Sequence, residues 1–191
     1  MRMKSGGEPM LALRSFTLED EPALAQRFLV LREAALGRHA CATAQGEVGG
    51  AALSVRFLAC FAAQEHEPVG GLILTLPEHE GARLPVESIL ESRGMLAPGE
   101  RINRSTWRTG YVGALWLAPG IAGSGALRAV MDAGFELCCA AGMERMVGLC
   151  SPPMLTATLQ YGFRVDLRFG CEGFFPYPDA RYMTSVVYRD M

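Results

Sequence analysis

From Trp116 to Ala126 the chain reads Trp-Leu-Ala-Pro-Gly-Ile-Ala-Gly-Ser-Gly-Ala, an apolar strand-like run that passes into an amphipathic helical pattern through a turn of small residues. Such a junction forces a strand and a helix to be neighbours. Glycine lets backbone approach a ligand closely, and the first N–H groups of a helix have no partner inside it, so they face whatever lies before them. The junction is expected to hold a phosphate; the alternative is a closely packed helix start with no ligand. Spacing excludes two known phosphate loops. A dinucleotide fingerprint that begins at Gly123 would need glycine where Arg128 stands. A nucleoside-triphosphate loop needs Gly-Lys-Ser/Thr at its end, where this helix opens Ala126-Leu127-Arg128.

The flanking chain alternates strands and helices. Leu11 to Phe16 is expected as a strand, and Thr17-Leu18-Glu19-Asp20 as the start of a helix that places Leu24, Phe28, Leu31 and Ala35 on one face and stops at Gly37. Arg38 to Gly50 reads as a mobile loop over an active site. Val55 to Ala62 and Pro68 to Leu76 form a hairpin through Gln64-Glu65-His66-Glu67, with Gly70-Gly71 marking a bulge or close pairing. Leu84 to Leu90 contains a short helix, and Met95 to Gly110 is turn-rich. Strands follow at Tyr111 to Leu117 and Arg145 to Cys150. They flank the clearest helix, whose Leu127, Val130, Met131, Gly134, Phe135 and Cys138 share a face. Ser151-Pro152-Pro153 caps another helix, and Val165 to Phe169 and Tyr182 to Arg189 are the last two strands.

Composition narrows the function. With 191 residues and 50% apolar content the chain is expected to form one domain, residues 1–191, around one core. A net charge of -2 without clustered cations argues against nucleic acid. No run is long enough to span a membrane, and Met1-Arg2-Met3-Lys4 leads into no apolar h-region, so a cytoplasmic protein is expected. The six cysteines, Cys41, Cys60, Cys138, Cys139, Cys150 and Cys171, include no Cys-x-x-Cys pair. They are expected as buried thiols in a reducing compartment, with no metal site.

Gly120-x-x-Gly123-x-Gly125 resembles the Arg/Gln-x-x-Gly-x-Gly/Ala loop of the GNAT superfamily of acyl-coenzyme A N-acyltransferases, with Gly120 in the place of the usual cation. The order of elements is similar over nearly the whole chain. Within the superfamily, Leu84-Pro85-Val86-Glu87, the run from Met154 through Leu159, Tyr161-Gly162-Phe163 to Val165, and the tail Gly170 to Pro178 look like the N-acyl amino acid synthases and the acyl-homoserine-lactone (autoinducer) synthases. The acidic and tryptophan signature of the lactone synthases is missing. The resemblance implies an α/β (α+β) GNAT-like fold: a mixed sheet of about six to seven strands, flanked by helices, with strands four and five splayed. It implies acyl transfer from acyl-coenzyme A or an acyl-phosphopantetheine carrier protein to the amine of a small amino acid-like acceptor, with no prosthetic group. Backbone N–H groups of Leu115, Trp116 and Leu117 would meet the thioester and pantetheine arm. The loop Gly120, Ile121, Ala122, Gly123, Ser124, Gly125 and Ala126 would bind the diphosphate. A catalytically degenerate binder and a small-molecule N-acetyltransferase are the alternatives.

The chemistry requires an amine to lose a proton and an oxyanion to gain a donor. The usual carboxylate base is replaced by Tyr111, and the tyrosine that protonates the leaving thiolate by Thr158. Glu87 is the substitute candidate for proton acceptor or ammonium ligand, with a solvated helix position as its ordinary reading. Tyr111 is a candidate oxyanion donor or a packed aromatic. His66 and His79 sit among acidic residues in turns and read as surface groups. Cys150 lies where the thioester belongs, but an apolar surround dulls a thiol. Phe174, Phe175, Tyr177 and Tyr182 either line a tunnel for a long acyl chain, worth roughly 0.8 kcal/mol per methylene, or plug the last strands. Arg101, Arg104 and Arg108 are the expected contact for an acidic acyl carrier protein, or solvate a loop.

Overall fold

A computed structural model of the chain describes residues 11–36, 52–62, 66–121 and 125–191. The elements are β1 (Leu11–Phe16), α1 (Pro22–Leu36), β2 (Leu53–Ala62), β3 (Gly70–Pro77), α2 (Pro85–Ser92), β4 (Thr109–Leu117), α3 (Ala126–Ala140), β5 (Arg145–Cys150), α4 (Pro152–Gln160), β6 (Arg164–Val165), β7 (Phe175–Pro176) and β8 (Met183–Asp190). The expected loop from Arg38 to Gly50, the N-terminal stretch, Cys41 and the hairpin tip at Gln64 and Glu65 lie outside the described residues.

The strands form one open mixed sheet in the order β1-β2-β3-β4-β5-β8-β6, with β7 paired to β8. Among the described strands only β4 and β5 run parallel, which fits the crossover through α3 that joins them. The described residues form eight strands where about six to seven are expected. The surplus comes from two-residue pieces: the strand expected over Val165 to Phe169 pairs only at Arg164 and Val165, and Phe175–Pro176 adds a short rung on β8. Thr17 and Asp20 bond each other in a turn, so the first helix begins later than expected, at Pro22.

Both faces of the sheet are covered. On one, Leu72, Leu74, Val112, Met146 and Val187 meet Ala126, Val130 and Cys138 of α3, with Phe163 after α4. On the other, α1 lays Ala25 and Phe28 over Phe57, Ile73, Ala114 and Trp116. Beside that cluster, Leu84, Val86 and Leu90 of α2 join Tyr111, Val147, Phe175 and Val186. The Phe28 ring stands edge-on to Phe57 and Trp116, with centroids 5.5 Å away in each case. Gly71 makes that approach possible, since a Cβ there would lie 2.1 Å from the Leu58 carbonyl and 2.6 Å from the Phe28 ring.

A bulge in β4 sets the shape of the sheet's centre. Between the pairs Gly71↔Trp116 and Ile73↔Gly113, β3 advances two residues and β4 three, and Ala114 takes φ 53. A single extra residue reverses the inside-outside alternation beyond it. Val112 therefore faces α3 before the bulge, whereas Leu115 and Leu117 face it afterwards, and Trp116 turns to Phe28. The parallel ladder with β5 ends just before the bulge, its last rung being Val112↔Gly148. At that rung a Cβ on Gly148 would lie 3.0 Å from the Val112 carbonyl oxygen and 2.9 Å from its Cγ1. Gly148→Ala is expected to destabilise the protein by about 1–3 kcal/mol, the usual cost of overpacking, as a lower urea midpoint with an unchanged slope.

Candidate active site

Beyond Val112 the strands part. The edge of β4 from Gly113 to Leu117 that faces β5, and Leu149 and Cys150 of β5 on the side towards β4, have no rung between them. Backbone polar groups left without a ladder must be met by water or by a ligand. The expected contributors Leu115, Trp116 and Leu117 all lie on this stretch.

Leu117 leads directly to the glycine loop. Ala118 N–H is held by the Val69 carbonyl at 2.8 Å and Ile121 N–H by Ala118 at 3.1 Å, which turns the chain back towards α3. Gly120 (φ 88) and Gly125 (φ 75) both take the left-handed conformation, and among the described residues, chain neighbours aside, no atom lies within 4 Å of where a Cβ would stand. Their glycine identity thus answers to backbone shape. Gly125 is the N-cap of α3 and supplies no capping side chain. The first helical bond is Ala129 N–H to the Gly125 carbonyl, so the N–H groups of Ala126, Leu127 and Arg128 precede it. Three amides and the positive end of a fifteen-residue helix therefore face the loop. Ala122, Gly123 and Ser124 lie outside the described residues.

The two side chains singled out for catalysis are buried behind the fork. Glu87 is 1% exposed. It occupies the third position of α2, where its Oε2 accepts the Leu84 N–H at 2.9 Å, half of a capping box. Its Oε1 accepts the Ile102 N–H at 3.0 Å, and Arg101 Nε lies 3.0 Å away. The carboxylate ties the turn-rich segment before β4 to the start of α2. Tyr111 is 2% exposed, in the rung Thr75↔Tyr111↔Val147 just below the fork, packed with Leu84, Phe175 and Val186. The α2 residues Leu84, Val86 and Leu90 that flank Glu87 share this cluster with Tyr111. The burial of Glu87 had one sequence signal, an acid three residues after Leu84 at a proline-marked helix start.

At the mouth of the fork on β5, Cys150 Sγ lies 3.4 Å from Thr158 Oγ1, and burial pushes its thiol above the ordinary range. Thr158 donates to the Met154 carbonyl at 2.9 Å. Burial also raises Cys60 and pushes Cys138 up to about 12. Cys139 and Cys171 are exposed, which corrects the expectation that the cysteines are uniformly buried. Of the aromatic segment, Phe175 is packed against the α2 cluster and Tyr177 borders it, with the Arg93 guanidinium 5.7 Å from the Tyr177 ring centroid.

The arginines expected to receive a carrier protein sit elsewhere. Arg101 is turned inward to Glu87 and the Glu80 carbonyl, Arg104 pairs with Glu100, and Arg108 pairs with Glu144. They precede β4, roughly 26 Å along the strand from the glycine loop. His79 accepts the Gly81 N–H in a turn at that same end of β3, and His66 is exposed. Among the described residues no group of three or more His, Cys, Asp or Glu could hold a metal, and no helix is long and apolar enough to cross a membrane.

No family model and no curated protein sequence matches the chain. Solved structures do. An N-acyl amino acid synthase, FeeM, from uncultured soil microbes superposes with a TM-score of 0.63 at 15% identity, over 95% of this chain and 91% of that one. The fold is that of the GNAT acyltransferases. A Pseudomonas aeruginosa acyl-CoA N-acyltransferase gives a TM-score of 0.63 at 12% identity, covering 94% and 99% of the two chains. The CoA-dependent acyl-homoserine lactone synthase BjaI gives 0.63 at 13%, covering 95% and 83%.

Two outcomes follow from these geometries. Glu87→Gln puts an amide donor among donors and should cost about 3 kcal/mol of stability, read by denaturant unfolding. Because raised thiols carry less thiolate, maleimide at pH 8 should label Cys139 and Cys171 of the native protein much faster than Cys60, Cys138 and Cys150, with full labelling only in denaturant, read by peptide mass spectrometry.

Proposed function

We propose that this chain is an N-acyltransferase that moves an acyl group from a coenzyme A or carrier-protein thioester to the amine of a small amino acid-like acceptor. The observation that carries the reading is the fork between β4 and β5 opening directly onto the uncapped start of α3. A diphosphate at Gly120, Ile121, Ala122, Gly123, Ser124, Gly125 and Ala126 would be met by amides and the helix dipole. The pantetheine arm, itself an extended chain of amides, would pair with the free edge of β4 at Leu115, Trp116 and Leu117 in the manner of an added strand. The thioester carbonyl then lies among oriented N–H donors, which stabilise the oxyanion as the amine adds. Collapse breaks the carbon–sulfur bond, and the proton lost by the attacking nitrogen passes through solvent to the departing thiolate, leaving an amide and a free thiol.

In this reading Glu87 and Tyr111 act as positioning groups. Glu87 fixes the segment that leads into β4, and Tyr111 forms the floor on which the fork rests. Their burial also favours a second reading, a GNAT-fold binder of acyl thioesters that lacks turnover. A series of acyl-coenzyme A and acyl-carrier-protein thioesters incubated with mixed amino acids, with products weighed by mass spectrometry, separates the two. A new N-acyl product supports the transferase. Thermal stabilisation by coenzyme A with no product supports the binder. Neither product nor stabilisation would overturn both. Gly123→Asp brings a charge and a side chain into the loop and should weaken coenzyme A binding about hundredfold, measured by calorimetry, with the melting temperature of the free protein little changed.

A further inference from the structure

At the end of the β4–β5 pair opposite the fork lies a cleft of about 400 Å³, within the range of small-molecule sites. Its wall carries three arginines from three separate segments: Arg104 before β4, Arg145 at the first position of β5, and Arg168 after β6, with Ser105, Asp166 and Tyr188 between them. Each guanidinium is held in place by a carboxylate. Arg145 Nε donates to Asp190 at 2.6 Å while its plane lies 4.6 Å from the Tyr188 ring centroid. Arg168 chelates Asp166 through Nε and Nη2, and Nη2 also donates to the Ile102 carbonyl at 2.7 Å. Arg104 is bonded to Glu100 through Nε and Nη2. Of the three carboxylates only Asp166 lines the cleft, and Arg168 occupies it. Among the described residues no hydrogen bond uses Nη1 or Nη2 of Arg145, or Nη1 of Arg104 or Arg168.

Arg145 and Arg168 are thereby ordered and still have donors to spend, so of the three a ligand would have only the exposed Arg104 to immobilise. Guanidinium groups suit oxyanions with several acceptor oxygens, and phosphate presents more than a single carboxylate does. The aromatic face of Tyr188 gives the remainder of a small molecule an apolar surface. We infer that this cleft is a second ligand site, separate from the acyl-transfer fork, which takes a small phosphate monoester with its phosphate among Arg104, Arg145 and Arg168. A bound phosphate would join the segment before β4 to β5 and to the turn after β6, tightening the base of the parallel pair.

The test is a titration of the isotope-labelled full chain with inorganic phosphate, followed by amide and arginine Nε–H resonances, with acetate as the control. Saturable shifts are expected at Ser105, Arg145 and Arg168, absent or far weaker with acetate. The same shifts should persist in Gly123→Asp, which separates this cleft from the glycine loop. Arg145→Gln should weaken phosphate binding about tenfold, the loss of one charge-assisted donor pair, while Ser105 keeps its native position in the spectrum. Shifts confined to Gly125, Ala126 and Leu127, equal response to acetate, or unchanged affinity in Arg145→Gln would each overturn the assignment. The wild-type titration decides the matter even if the variant does not fold.

Discussion

The hydrogen-bond ladder between β4 and β5 stops after four rungs, and the rest of the molecule is arranged around that stop. Up to Val112↔Gly148 the two strands form an ordinary parallel pair, buried on both faces as such pairs require. Past it, the bulge at Ala114 turns β4 away, and α1 and α3 hold the displaced end from opposite sides. Phe28 and Phe57 receive Trp116, while Leu115 and Leu117 lie against the α3 cluster. The gap is therefore kept open by packing on both flanks. That rigidity gives the fork its chemical use, since donors that are already oriented need no reorganisation when charge develops beside them.

Much of the architecture was legible in the residue pattern. The apolar periodicity of Leu127 to Cys138, the glycine that stops α3, and the proline-marked starts of α2 and α4 located those helices within a few residues. The strands of the central sheet were equally plain, because strands buried on both faces, parallel or antiparallel, read as continuous apolar runs. Val165 to Phe169 misled, because its apolar residues serve a turn: of this stretch only Val165 stands in a rung, and Phe169 leaves the strand to pack with the α2 cluster. Local pattern carries no information on where a distant partner ends.

The site was less legible for the same reason. The glycine junction announced a helix start, and the structure places α3 there. Side-chain roles did not follow as easily. Glu87 read as a solvated or catalytic acid because a charged residue on a short helix usually faces water. Here its neighbours are backbone donors from two segments, Leu84 and Ile102, fifteen residues apart in the case of the second. The arginines before β4 looked like one basic patch, yet each has its own acidic partner, and Arg101 has turned inward. Only the folded arrangement shows Arg104 meeting Arg145 and Arg168 across a cleft.

The surplus residue in β4 also bears on how such a chain can drift. Its contribution is a count, one position too many between two rungs, and almost any small side chain could supply it. What the fork requires is the mismatch in length between two neighbouring strands, so deleting a single residue of β4 there would do more harm than many replacements elsewhere.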